Sequence, residues 1–139
     1  MLRPEITVEV LNRRSAGNLP ALIGIEITGV TELALTGRLA VRSQLLAANG
    51  YLHAASVIAL ADTLCGYGTF AHLPQGAKGF TTIELKSNFL GTARVGTILC
   101  TATPVHLGRS THIWDAVVSD EASTRKIALF RCTQLILMR

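Results

Sequence analysis

Residues 54–70 read AASVIALADTLCGYGTF. Apart from its thiol and the Tyr67 phenol the run holds one ionisable group, Asp62, set among Ile58, Ala59, Leu60, Ala61, Leu64 and Cys65. Its length suits a helix of about five turns, stopped before Pro74 and Gly76. Its β-branched residues and glycines make it a mediocre helix in isolation, so tertiary packing must hold it. Asp62 is also the only charge between Ser43 and Ala77. Gln44, Asn49, Gly50, His53, Gly66, Gly68 and His72 interrupt that stretch, leaving no uninterrupted apolar run of about 20 residues for a membrane span. The reading is a buried core helix with a carboxylate on it, and no membrane partner.

The flanking segments supply what such a helix packs against. Residues 5–16 read as a short amphipathic helix closed by Gly17-Asn18, so that 1–19 form a helix and lead-in. Residues 22–29 and 33–41 read as two strands, and 42–53 as a loop ending N-G-Y-L-H. After the helix the chain alternates as a meander: 79–90, 97–107, 110–118 and 126–138, separated by GTARVG, Gly108-Arg109 and SDEAST. Pro104 marks a bulge or an edge in the second of these. The economical architecture is α+β: one long buried helix lying across a curved antiparallel sheet of about five to six strands.

Length and composition set the bounds. The 139 residues make a single domain, 1–139, with a core of its own. Charged residues are 16%, hydrophobic residues 49%, and mean hydropathy is +0.40. That excludes a disordered or coiled-coil chain and leaves apolar surface for a second copy to cover. Aromatics are 5%, too few for stacking platforms, and the 13 Lys and Arg are scattered, so no nucleic-acid surface is expected. The net charge of +4 suits a small polyanionic ligand. Cys65, Cys100 and Cys132 stand far apart in apolar runs with no zinc spacing, which points to buried free thiols and a cytoplasmic setting.

A lone carboxylate on an apolar helix either faces a crevice, meets a donor from elsewhere, or takes a raised pKa. Two readings of Asp62 follow: a carboxylate bonded to a backbone amide or an Arg, or a general base or nucleophile in a semi-buried cleft. His53 opens the same helix and is followed by two small residues, Ala54 and Ala55. A helix N-terminus of that kind leaves N–H groups free to bind a developing oxyanion; the plainer role for His53 is that of a cap. Asp62 lies eight residues beyond Ala54, about 12 Å along a straight helix. If both act on one carbonyl they come from two copies of the chain, paired antiparallel about a two-fold axis.

Three stretches, NGYLHAASVIALADTLCGYG, GFTTIELKSNFLGTARVG and GRSTHIWDAVVSD, resemble the hotdog-fold thioesterases over roughly residues 20–137. The nearest types are the phenylacetate-pathway and 4-hydroxybenzoyl-CoA enzymes. The resemblance implies an acyl- or aryl-CoA substrate hydrolysed by water, without cofactor or metal, in a homodimer or a tetramer of dimers. It assigns Asp62 as base or nucleophile, the Ala54 N–H as oxyanion donor, and His53 as support for the loop. It places Thr82 near the reacting centre, Gly66 and Tyr67 at the acyl pocket, and Arg109, Ser110 and Thr111 on the CoA arm. Departures are also visible. Ala54-Ala55 replaces the common Gly-Gly, and Ala47 stands where relatives carry Asn or Gln, with Asn49 two residues on as its substitute. Gly66 stands where some carry Ser or Thr, and Gly91 where one type has a phosphate-binding Arg, with Arg94 nearby. The alternatives are a hotdog dehydratase or hydratase, whose Pro-Gly-rich surroundings this chain lacks, and a non-catalytic acyl-CoA-binding module, against which Asp62 argues.

Overall fold

The structure is a computed structural model and describes residues 1–138. The apolar run forms α3, Ala54–Ala71, with His53 as its N-cap. By length and composition it could cross a bilayer, but its apolar side is buried instead: Val57, Leu60, Ala61, Leu64 and Cys65 face the sheet, with Leu60 and Leu64 fully shielded. Each such leucine contributes about 2 kcal/mol by leaving water, and this burial holds a helix whose propensity alone is modest.

Six antiparallel strands make the sheet: β1 Glu26–Val30, β2 Leu35–Ala40, β3 Gly79–Phe89, β4 Thr97–Leu107, β5 Thr111–Asp120 and β6 Lys126–Leu137. Their order is β1-β2-β4-β5-β6-β3. β2 and β3 therefore lie on opposite sides of the meander, and α3, which joins them, must cross the sheet. It packs against β2, β4, β5, β6 and β3 in turn. Trp114 of β5 is fully buried beneath it. A Cβ at Gly68 would come within 2.6–2.8 Å of three carbons of the Trp114 ring, so only glycine lets helix and indole approach this closely.

β4, β5 and β6 form a meander and follow their alternation closely, but β3 does not join it through the GTARVG turn: it pairs with β6 at the sheet edge, and a bulge between Thr82 and Glu84 breaks its alternation and leaves Ile83 exposed. The N-terminal part also departs from the expected pattern. The strand expected over 22–29 is split. Leu19–Ile23 is a short helix, α2, and β1 starts only at Glu26. Pro20 sits in its first turn, and Gly24, at φ 91°, closes it in the left-handed region, its N–H bonding to the carbonyls of Pro20 and Ala21. An early proline followed by a left-handed glycine outweighs the β-branched Ile23 between them. The first helix, α1, is Val8–Ser15, capped by the Thr7 side chain. Pro104 satisfies both expectations. The register of β4 against β5 slips between Pro104 and His106, and β2 reaches only to Ala102, so β4 is unpaired on that side from there on.

Candidate active site

The loop before α3 is tied down by backbone bonds. His53 N–H donates to Leu45 O at 3.0 Å, Ala47 N–H to Tyr51 O at 2.7 Å, and Ser56 Oγ to Leu45 O at 2.9 Å. His53 Nδ1 accepts the Ala55 N–H at 2.9 Å, which leaves Nε2 as the nitrogen that carries the ring proton when the imidazole is neutral. The Ser56 N–H goes to His53 O. Among the described residues the Ala54 N–H has no partner. It stands at the positive end of an 18-residue helix beside an exposed, small side chain. Asn49 is exposed, and its Oδ1 accepts the Tyr51 N–H, closing its own turn. Arg94 stacks on Tyr51 at 4.6 Å and donates to Gly50 O.

Two helical turns on, Asp62 is half-buried. Thr82 Oγ1 of β3 lies 3.2 Å from its Oδ1 and 2.9 Å from Gln134 Oε1 of β6. Burial pushes the Asp62 carboxyl above its ordinary pKa, and the Thr82 hydrogen bond pulls it part of the way back. A carboxylate in this state is a stronger base than one in water and remains within reach of the ionised form near neutrality. Leu85 and Phe89 share Thr82's face of the sheet, since their partners on β6 are the buried Cys132 and Ala128. Yet they are 41% and 44% exposed, since α3 meets β3 at Phe80 and Thr82, toward the other end of the strand. On α3, Ile58 and Ala59, about one turn before Asp62, are like it only partly covered. The carboxyl thus stands at an apolar notch between helix and edge strand.

The other expected site residues are dispersed. Gly66 follows one turn after Asp62, against the Phe80 ring of β3. Tyr67 points the other way: it is buried, and its hydroxyl bonds to Ser15 Oγ of α1 at 2.8 Å. Arg109 lies in the β4–β5 turn at the far end of α3, on a cavity of about 360 Å³ that it shares with His72, Gln75 and His112. Ser110 holds the Ile136 N–H with its carbonyl, and Thr111 opens β5. Within one chain the structure joins Asp62 and Thr82, and leaves Ala54, Asn49 and Arg109 apart from them. Gln134 was missed. Its signal was available: Ala128, Phe130, Cys132 and Ile136 form the inward set of β6, and Gln134 is the polar member of that alternation.

The Thioesterase superfamily profile matches residues 49–127. The chain is 29% identical to the 1,4-dihydroxy-2-naphthoyl-CoA hydrolase of Listeria monocytogenes over 115 residues, 83% of this chain and 92% of that one. A mutant thioesterase from Pseudomonas aeruginosa superposes with TM-score 0.92 at 26% identity, over 98% of this chain and 97% of that one. The Escherichia coli PaaI protein, of the phenylacetic acid degradation operon, shares the fold: TM-score 0.76 at 24% identity, covering 85% and 83%.

Proposed function

The chain belongs to the thioesterase superfamily, a hotdog-fold thioester hydrolase, and from there we propose that Asp62 is the base for hydrolysis of an acyl- or aryl-CoA thioester to the free acid and CoA. The observation that carries this is the half-buried Asp62 carboxyl held by Thr82 at an open apolar notch. Asp62 takes a proton from water as the oxygen attacks the thioester carbon. The C–S bond then breaks and CoA leaves as its thiolate, which a proton neutralises. The carbonyl oxygen, gaining charge, is held by the Ala54 N–H.

That donor comes from a second copy. The rise of about 12 Å between Ala54 and Asp62 keeps one chain from supplying both to one carbon. β3 is a sheet edge, bonded only to β6, and Ile83, Leu85, Phe89 and Leu90 are exposed along it. An open apolar edge of this kind invites pairing. A two-fold mate seated there covers the notch, sets its α3 antiparallel to the first, and brings its Ala54 toward Asp62. Arg109 at the far end of α3 then lies on the side from which the nucleotide arm of CoA enters, where a cation suits phosphate. We place the enzyme in a reducing compartment such as the cytoplasm, which suits three buried free thiols.

The test is hydrolysis of short, medium, branched and aryl CoA thioesters, with free thiol as readout. Asp62→Ala and Asp62→Asn should each lose at least about a hundredfold in kcat while remaining folded. Activity of both within about threefold of the parent rejects the role.

A further inference from the structure

The Thr82 hydroxyl has one proton and two oxygens within reach, Asp62 Oδ1 at 3.2 Å and Gln134 Oε1 at 2.9 Å. An ionised carboxylate has no proton to offer. The hydroxyl must donate to it or face it lone pair to lone pair, and the bond to a charged acceptor is the stronger of its two choices. With its proton on Asp62, Thr82 Oγ1 meets Gln134 as an acceptor, and an amide oxygen at 2.9 Å is then the wrong end of the amide. Gln134 is fully buried, with its Nε2 3.3 Å from Cys132 Sγ. The two ends of a carboxamide have the same shape, so the same pocket holds it turned over. Turned over, every group in the row has a partner of the right kind. Nε2–H donates to Thr82 Oγ1, Thr82 O–H donates to Asp62, and Oε1 accepts the Cys132 S–H. The orientation with Oε1 on Thr82 suits the protonated acid, which itself donates to Thr82.

Resting on the reading of Asp62 as the base, we propose that Gln134 is a positioning residue: its side-chain N–H donates to Thr82 Oγ1 and thereby turns the Thr82 proton onto the ionised Asp62. Gln134 lies in register with Thr82 on one side and His112 of β5 on the other. Two titratable neighbours stay uncharged near neutral pH: Cys132 and burial raise the Cys65 thiol, and burial with the nearby His72 and His106 holds His112 down at about 4. In the proposed dimer the second copy's His53 opens onto the same notch.

The sign of one shift tests this. The Asp62 carboxyl is titrated by carbon-13 NMR, assigned by its loss in Asp62→Asn, and compared with the acidic limb of kcat/KM. If Gln134 donates, Gln134→Met removes the donor that aligns the hydroxyl. Both titrations then move up together by a few tenths of a unit, toward the larger rise of Thr82→Val. If Gln134 instead takes the Thr82 proton, Gln134→Met frees that proton for Asp62 and both move down. A downward shift, or none in the folded variant, overturns the proposal. Gln134→Leu serves where Met does not fold: it removes the same donor, so the same upward shift is expected, and a downward shift or none overturns the proposal equally. Parental hydrolysis by Asp62→Asn would instead reject Asp62 as the base, and the NMR titration would still decide which end of the amide meets Thr82.

Discussion

Asp62 is destabilising by the same cause that makes it useful. Its pKa is raised in the folded chain, chiefly by burial, so the native state holds the proton more tightly than the unfolded one. As pH rises through the unfolded value the unfolded chain releases its proton first, and stability falls until the folded carboxyl also ionises. Above that point the deficit is constant. Asp62→Asn should therefore melt higher than the parent at pH 7, and the gain should vanish as the pH falls through both titrations toward about 3. Thermal melts at several pH values check this. A variant less stable than the parent at pH 7 would mean that burial of the charge is fully compensated. Such an exchange of activity for stability is common where a site keeps a strained or desolvated group.

At the level of the element, α3 is an apolar helix shaped by what it touches. Gly68 is a poor helix former, and alanine there would gain about 1 kcal/mol in propensity. The Trp114 ring stands 2.6–2.8 Å from where the added Cβ would go, and a fully buried indole has little room to yield. Overpacking of this kind costs about 1–3 kcal/mol. Gly68→Ala should thus lower stability by up to about 2 kcal/mol net, read by denaturant unfolding with an unchanged m-value. A more stable variant would show that the contact between α3 and β5 is slack. The other end of the helix is built for openness: the His53 side chain caps Ala55, and among the described residues the Ala54 N–H is left without a partner.

For the whole molecule the question is which chain supplies what. Asp62→Asn removes the base, and Ala54→Pro removes the donor N–H. Proline suits the first helical position, and His53, at φ −66° and ψ 139°, already has the extended backbone that a residue before proline adopts. Each variant alone should be inactive. In a mixed dimer both defects fall in one site and the other site is whole. Random pairing of equal amounts, by co-expression or reversible unfolding, should restore up to about a quarter of parental sites. Mixed dimers confirmed by differential tagging yet inactive would refute the shared site. A monomer in solution by sedimentation would do the same.

The α+β class, the run of α3, the extents of the four later strands and the choice of Asp62 follow from local pattern, whereas Thr82 beside it was implied by the family resemblance alone. Period-two alternation and a single carboxylate in an apolar helix are signals carried by adjacent residues. The strand expected over 22–29 starts late because Pro20 and Gly24, at the two ends of α2, outweigh the β-branched Ile23 between them. The order β1-β2-β4-β5-β6-β3 was decided only by packing, since the helix must cross the whole sheet to bury its apolar side. The direction of Tyr67, toward Ser15 and away from Asp62, likewise depends on how α1 docks. Gln134 reaches Thr82 through the pairing of β6 with β3, which are 52 residues apart at that point. Contacts across such separations are set by the sheet register, and no local pattern carries them.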